Sequence, residues 1–290
     1  MKAPRDNIAI VFSALVALSA PAIAYAQDKY HPIDFKQAIQ TERGELSPIG
    51  PDAVYLNDKE SCDFAKTEWG WSSCEGIDKM AFGMGPAIET LLIEDPVSEG
   101  FVKLDDFFEN GATDEIDAIT EDYKQGLAEQ AKRLGMKVEF VGWRLQPTAD
   151  KSRNLIYYAL DSKWDGSPTT NVKVMLLDRY GYLVMNLVPA SADLNAEEMK
   201  DVVSQAVGAY ESKPAAGYKD FQEGDRIAAY GGLGVLAAVL GVKFGKVATF
   251  GLLAGLLLLL KKGAFLIIVP LVAIGGFFKR LFRRDRGASS

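Results

Sequence analysis

The spacing of apolar positions changes period several times along the chain, and each change predicts a different element. In TDEIDAITEDYKQGLAEQAKRLG, residues Ile116, Ile119, Tyr123, Leu127 and Leu134 recur at helical spacing. Thr113 is the candidate N-cap, acids fill the first turn and Gly135 is the stop. Four runs then read as strands: Val138–Leu145, Asn154–Asp161, Asn171–Asp178 and Gly181–Val188. Short polar links separate them, which favours antiparallel pairing. A second helix follows, in which Asn195 and Glu198 have capping-box spacing and Met199, Val202, Val203, Ala206, Val207 and Tyr210 form one stripe, predicted to lie on the sheet. Ahead of all this, Pro48, Pro51, Pro86 and Pro96 punctuate a region of short strands and turns.

The two ends are patterned differently. Lys2 and Arg5 precede an apolar run, Ile8–Ala20, and Ala24 and Ala26 satisfy the small-x-small rule, so residues 1–26 read as a cleaved signal peptide. After Arg226 come three apolar blocks, Ile227–Val242, Val247–Leu260 and Gly263–Phe278, separated by lysines. Each is shorter than the ~20 residues of an untilted span, but flanking basic side chains extend to the interface. Lys279, Arg280, Arg283, Arg284 and Arg286 follow, which places the tail on the cytoplasmic side. A translocated body then requires one crossing or three, and both remain open. The Gly251-x-x-x-Gly255 spacing suits close helix contacts and a homo-oligomer formed through them.

The expected fold class is therefore α+β: an antiparallel meander of about four strands with amphipathic helices on one face, followed by a C-terminal transmembrane helical region. The expected division is a signal peptide (1–26), an exported domain (27–220), a membrane-anchoring region (221–278) and a basic cytoplasmic tail (279–290).

Charge sharpens the division. Residues 27–220 carry 20 Lys and Arg against 35 Asp and Glu, a net −15, whereas 221–290 carry 10 against 3, a net +7. An acidic body repels phosphate backbones, so nucleic acid is not an expected partner. The only cysteines, Cys62 and Cys74, fall in the exported part, where an oxidising compartment favours their pairing.

Catalytic patterns are sparse. His31 is the only histidine and lies near the start of the mature chain, a poor place for a rigidly held base. No phosphate-binding glycine loop or nucleophile elbow appears. The acids between Asp105 and Glu115 fail the ligand alternation of a calcium loop, because Phe108 occupies the third position counted from Asp106. No metal ligand and no cofactor is assigned. Carboxylates such as Asp105 and Asp106 leave a histidine-free hydrolase as an alternative.

The segments GFVKLDD (Gly100–Asp106), VGWRLQP, NLIYYAL, NVKVMLLDRYGYLVMNLV and GYKDFQEGDRIAAYG (Gly217–Gly231) resemble domain-of-unknown-function family 2167, predicted membrane-anchored bacterial proteins. The likeness runs from about Leu91 to the end. It is most specific at the junction Tyr218, Asp220, Phe221, Gly224, Asp225, Ala228, Ala229, Tyr230 and Gly231. With Arg226, which like Asp220 and Asp225 precedes the first apolar block, these residues are expected to form a membrane-junction motif in which Phe221 and Tyr230 settle at the headgroup level. The family's Gly-Arg-x-Gly turn is here Asp178-Arg179-Tyr180-Gly181. The resemblance implies a bacterial envelope and an inner-membrane anchor, and it carries over neither an activity nor catalytic residues; with the signal peptide it places the body in the periplasm. The expected function is a non-enzymatic interaction or scaffold module with the lipid bilayer and other envelope proteins as partners; a small assembly of membrane helices is a third reading.

Overall fold

The computed structural model describes residues 29–68, 73–135, 137–191 and 193–242. In chain order the strands are β1 (Ile33–Asp34), β2 (Ile39–Gln40), β3 (Gly44–Leu46), β4 (Val54–Leu56), β5 (Ile77–Phe82), β6 (Ile88–Glu94), β7 (Val138–Asp150), β8 (Leu155–Trp164), β9 (Ser167–Leu177), β10 (Tyr182–Pro189) and β11 (Tyr210–Ser212). The helices are α1 (Asp58–Glu68), α2 (Ala112–Leu134), α3 (Ala196–Gly208) and α4 (Gly232–Leu240). Eight strands form one antiparallel sheet in the order β1-β4-β5-β6-β10-β9-β8-β7, and β11-β3-β2 form a small second sheet.

The four expected strands are present as β7 to β10, but they are only half of the sheet. β10 pairs on its far side with β6 (Met185 opposite Ile93), and β5, β4 and β1 extend the sheet through residues whose short, proline-broken runs carried no alternation to read. The β8–β9 link is a two-residue Asp165-Gly166 turn with both φ angles positive, the conformation that matches strand twist in a tight hairpin. β7 forms one edge of the sheet, and its three register shifts and Pro147 break up the unpaired ladder it would otherwise offer.

Helices cover both faces, not one. Successive strand residues point to opposite faces, and β10 shows the consequence. Leu183, Met185 and Leu187 pack with Met199, Val202, Val203 and Ala206 of α3. Tyr182 and Val184 face Ile119, Tyr123 and Leu127 of α2 and Leu233 and Leu236 of α4. A third cluster, with Phe64, Met80, Phe82 and Leu92, sits under α1. The capping box of α3 forms, with Asn195 accepting from Glu197 and Glu198 and Glu198 reaching back to the Asn195 N–H. Gly135 ends α2 in the left-handed region, but Thr113 does not cap it; the N-cap is Gly111, which supplies no side chain.

The expected C-terminal transmembrane region is corrected. The first apolar block folds as the nine-residue α4, which spans about 14 Å against the ~30 Å of a bilayer core. Its Leu233, Val235, Leu236, Ala237 and Leu240 are buried in the body. No helix among the described residues is long and apolar enough to cross a membrane. A helix enclosed on all sides by its own domain is apolar all round, and that composition reads like a membrane segment. The signal peptide, the blocks Val247–Leu260 and Gly263–Phe278 and the terminal basic cluster lie outside the described residues.

Asp106 seats α4. Its two carboxylate oxygens accept the N–H groups of Gly232 (2.9 Å) and Leu233 (3.0 Å), the bonding of an N-cap supplied by a distant segment. Burial pushes this carboxyl above its ordinary value in spite of those bonds.

Glu89 on β6 is a buried acid whose two oxygens meet no hydrogen-bond partner among the described residues, and burial raises its pKa from 4.5 to about 7. A raised folded-state pKa favours the protonated fold. This stabilisation is complete below pH 4.5 and is lost as pH rises through about 7. Glu89→Gln is expected to remove that loss, roughly 2 kcal/mol after allowance for solvent screening. Urea midpoints measured from pH 4.5 to 8 check this: wild type falls by more than the variant.

Candidate functional site

The link between β9 and β10 is four residues long, Asp178-Arg179-Tyr180-Gly181, and its first side chain turns back on itself. The Asp178 carboxylate is 3% exposed, and its Oδ1 accepts the N–H groups of Tyr180 (2.7 Å) and Gly181 (2.8 Å). This is how an aspartate fixes a turn locally. Arg43, just ahead of β3, completes the arrangement: its Nη1 donates to both Asp178 oxygens at 2.8 and 2.6 Å, and its Nη2 donates to Ser98 Oγ.

Arg179 points to the C-terminal segment. Its Nε and Nη2 donate to the two oxygens of Asp225 at 2.7 and 2.8 Å, the bidentate fork that suits guanidinium and carboxylate. The hydrogen bonds from Arg179 hold the Asp225 carboxyl below the usual carboxylate range, and Asp225 in turn raises the Arg179 guanidinium. The same carboxylate accepts the Gln222 N–H at 2.7 Å, so it closes its own turn as well. The Tyr180 ring, 45% exposed, has the Arg43 and Arg179 guanidinium carbons 5.9 and 5.6 Å from its centroid.

Between these groups lies an open cleft of about 400 Å³, lined by Arg43, Ser98, Gly100, Arg179, Tyr180, Gly224, Asp225 and Arg226. Arg43 and Arg179 are each neutralised by a carboxylate. Arg226 is exposed, and no carboxylate among the described residues pairs with its guanidinium. Three guanidinium groups stand in the lining against the Asp225 carboxylate, and with the Asp178 carboxylate bonded to Arg43 the group carries one excess positive charge in an otherwise acidic body.

The junction residues converge on this cleft and on the strip Val97–Val102 beside it. Phe101 and Ile227 form a parallel bridge, with the Phe101 N–H donating to the Arg226 carbonyl (2.8 Å) and the Ala228 N–H to the Phe101 carbonyl (2.9 Å). Gly100 (φ +109°) permits the contact, since a Cβ there would come within 2.7 Å of the Arg226 carbonyl oxygen. The rings of Tyr218 and Phe221 each lie 4.3 Å from that of Phe101, and the Tyr218 hydroxyl donates to the Val102 carbonyl at 2.8 Å. Asp220 accepts the Gly217 N–H at 3.0 Å, and Gly224 adopts a left-handed φ of +99°. Phe221 and Tyr230 were expected at the level of lipid headgroups. Phe221 instead stacks on Phe101, and Tyr230 is buried beside Tyr182.

Other sequence candidates lie apart. Cys62, in α1, and Cys74 are joined as a disulfide with Cα atoms 5.0 Å apart. Asp105 is 71% exposed and pairs with Lys151 at 3.3 Å, while Asp106 caps α4. The His31 ring is 93% exposed and bonds Glu60 at 2.9 Å. Arg43 and Ser98 were missed altogether. Arg43 meets Asp178 across 135 residues of sequence, and no local pattern announces such a pair.

The family model described as "Protein of unknown function (DUF2167)" matches residues 35–272, which includes every residue of the cleft and reaches well ahead of Leu91. The chain belongs to the DUF2167 family. No curated protein matches it. Among solved structures, the solution structure of cyanobacterial PsbP (CyanoP) from Synechocystis sp. PCC 6803 is similar to the DUF2167 chain over 61% of this chain and 91% of its own, at 13% identity and a TM-score of 0.31.

Arg43→Ala is expected to cost the DUF2167 protein about 3 kcal/mol, because it leaves the Asp178 charge buried without its cation. Chemical denaturation of purified protein, compared with exposed Lys36→Ala as a control, measures the difference.

Proposed function

We propose that this DUF2167 protein is a non-enzymatic recognition module of an exported, oxidising compartment, the periplasm, and that it holds an envelope partner through an anionic group seated in the arginine cleft. The observation that carries this reading is the lining itself. Arg226 offers a guanidinium with no carboxylate partner among the described residues, and Ser98 and the exposed Tyr180 line the same 400 Å³ space. A donor-rich concavity with one unit of excess positive charge suits a single carboxylate or phosphate group. The acidic body around it disfavours a polyanion.

The non-enzymatic part of the reading is supported by what the carboxylates already do. Asp178 and Asp225 hold guanidinium groups and close turns, and Asp106 caps a helix. A general acid or base must exchange its proton within reach of a substrate, whereas these acids are committed to the fold. The Cys62–Cys74 pairing supports export, since such bonds persist in oxidising compartments.

Titration of the full-length protein with succinate and with inorganic phosphate tests the proposal. Wild type is expected to bind at least one of them, and Arg226→Ala to lose about tenfold or more in affinity with its thermal midpoint unchanged. Equal binding by wild type and variant contradicts the cleft. Turnover of an envelope-derived substrate that disappears in Asp105→Asn or Asp106→Asn contradicts the non-enzymatic reading.

A further inference from the structure

The fork of Arg179 is already filled, and its occupant is a carboxylate carried on a peptide turn. Asp225 lines the cleft, meets Arg179 through both oxygens and belongs to the short turn Gln222-Glu223-Gly224-Asp225. The next residue, Arg226, lines the same cleft without a carboxylate partner among the described residues, and Ile227 beside it leaves 49% of its surface exposed. Tyr180, also in the lining, exposes an aromatic ring. Cation and apolar surface therefore stand together at the cleft, as a peptide with an acidic side chain next to an apolar one requires.

Resting on the cleft reading above, we propose that Asp225 is an intramolecular stand-in for the ligand: the cleft binds a glutamate or aspartate side chain of a partner's peptide segment, which takes Arg179 over from Asp225 and is held by Arg226 as well, while Ile227 engages the apolar flanking residue. The exchange keeps the Arg179 guanidinium paired, because one carboxylate replaces another on it; the released Asp225 carboxylate turns to solvent, the Arg226 charge offsets the added anion, and no proton need move. The difference between free and occupied cleft is then the position of the 222–225 turn. Asp225 and the ligand compete, so the apparent affinity of wild type is reduced by the fraction of molecules in which Asp225 holds the fork. The sign is opposite to that of a binding residue: removing Asp225 strengthens capture.

The test uses the full-length protein and a labelled peptide with one internal glutamate flanked by leucine, with its glutamine counterpart as control. Wild type is expected to bind the glutamate peptide better than the glutamine peptide. Asp225→Asn is expected to bind the glutamate peptide about fivefold more tightly, and Asp225→Asn combined with Arg179→Ala to lose that gain. A thermal melt establishes that each variant is folded. A second readout needs no variant: saturating wild type with peptide is expected to speed amide exchange at Gln222, whose N–H is held by Asp225. Unaltered exchange at Gln222, or a folded Asp225→Asn that binds no more tightly than wild type, overturns the stand-in and leaves the anion cleft standing. Failure of wild type and variant alike to prefer glutamate over glutamine overturns this inference. If succinate and phosphate also fail to bind, the cleft reading falls with it.

Discussion

The buried carboxylate of Asp178 organises the molecule. It turns the chain between β9 and β10 by accepting two backbone N–H groups, and it takes the Arg43 guanidinium from the turn between β2 and β3 of the small sheet. The turn so fixed presents its backbone to two further segments. The Arg179 N–H reaches the Ala216 carbonyl at 3.0 Å, and the Tyr180 carbonyl accepts the Gly100 N–H at 2.8 Å. Desolvating an ion pair this completely is costly and is sustained only when the remaining lone pairs are bonded, as they are here. One aspartate thus joins the start of the chain, the middle strip Val97–Val102 and the C-terminal segment at a single point.

The candidate site is a by-product of that junction. Segments drawn together from residues 43, 98, 179 and 226 cannot pack as smoothly as neighbouring strands, and the space left between them is lined by the charged groups that brought them together. The C-terminal segment then continues as α4, capped by Asp106 and buried between α2 and the sheet. Residues 221–242 are in this way a structural part of the body, and a partner seated in the cleft would press on the segment from which the chain continues.

What could be read in the sequence follows from the range of each interaction. The α3 capping box, the Gly135 stop and the β7–β10 strands depend on neighbours a few residues apart, and each left a local pattern. β1, β4, β5 and β6 owe their place to partners far along the chain and are too short or too uniformly buried to show alternation, so the sheet was read at half its width and its helices on one face only. The apolar block that became α4 misled for a different reason: enclosure by protein and enclosure by lipid select the same side chains. The junction motif was legible as a motif, since Tyr218, Phe221, Gly224, Asp225 and Tyr230 stand close together, but its partners Phe101, Arg179 and Tyr182 lie tens of residues away. Its role was therefore assigned to a surface that the structure gives to Phe101 and the core.

The most direct measurement of this account is native-state hydrogen exchange across residues 217–240 of the full-length protein, compared with the central strands β9 and β10. If the Asp178 junction and the Asp106 cap make α4 part of the body, the amides of Leu236, Ala237 and Leu240 exchange only with global unfolding, as slowly as those of Val174 and Met185. Exchange of those α4 amides at the rate of an unprotected peptide, while β9 and β10 stay protected, would contradict it.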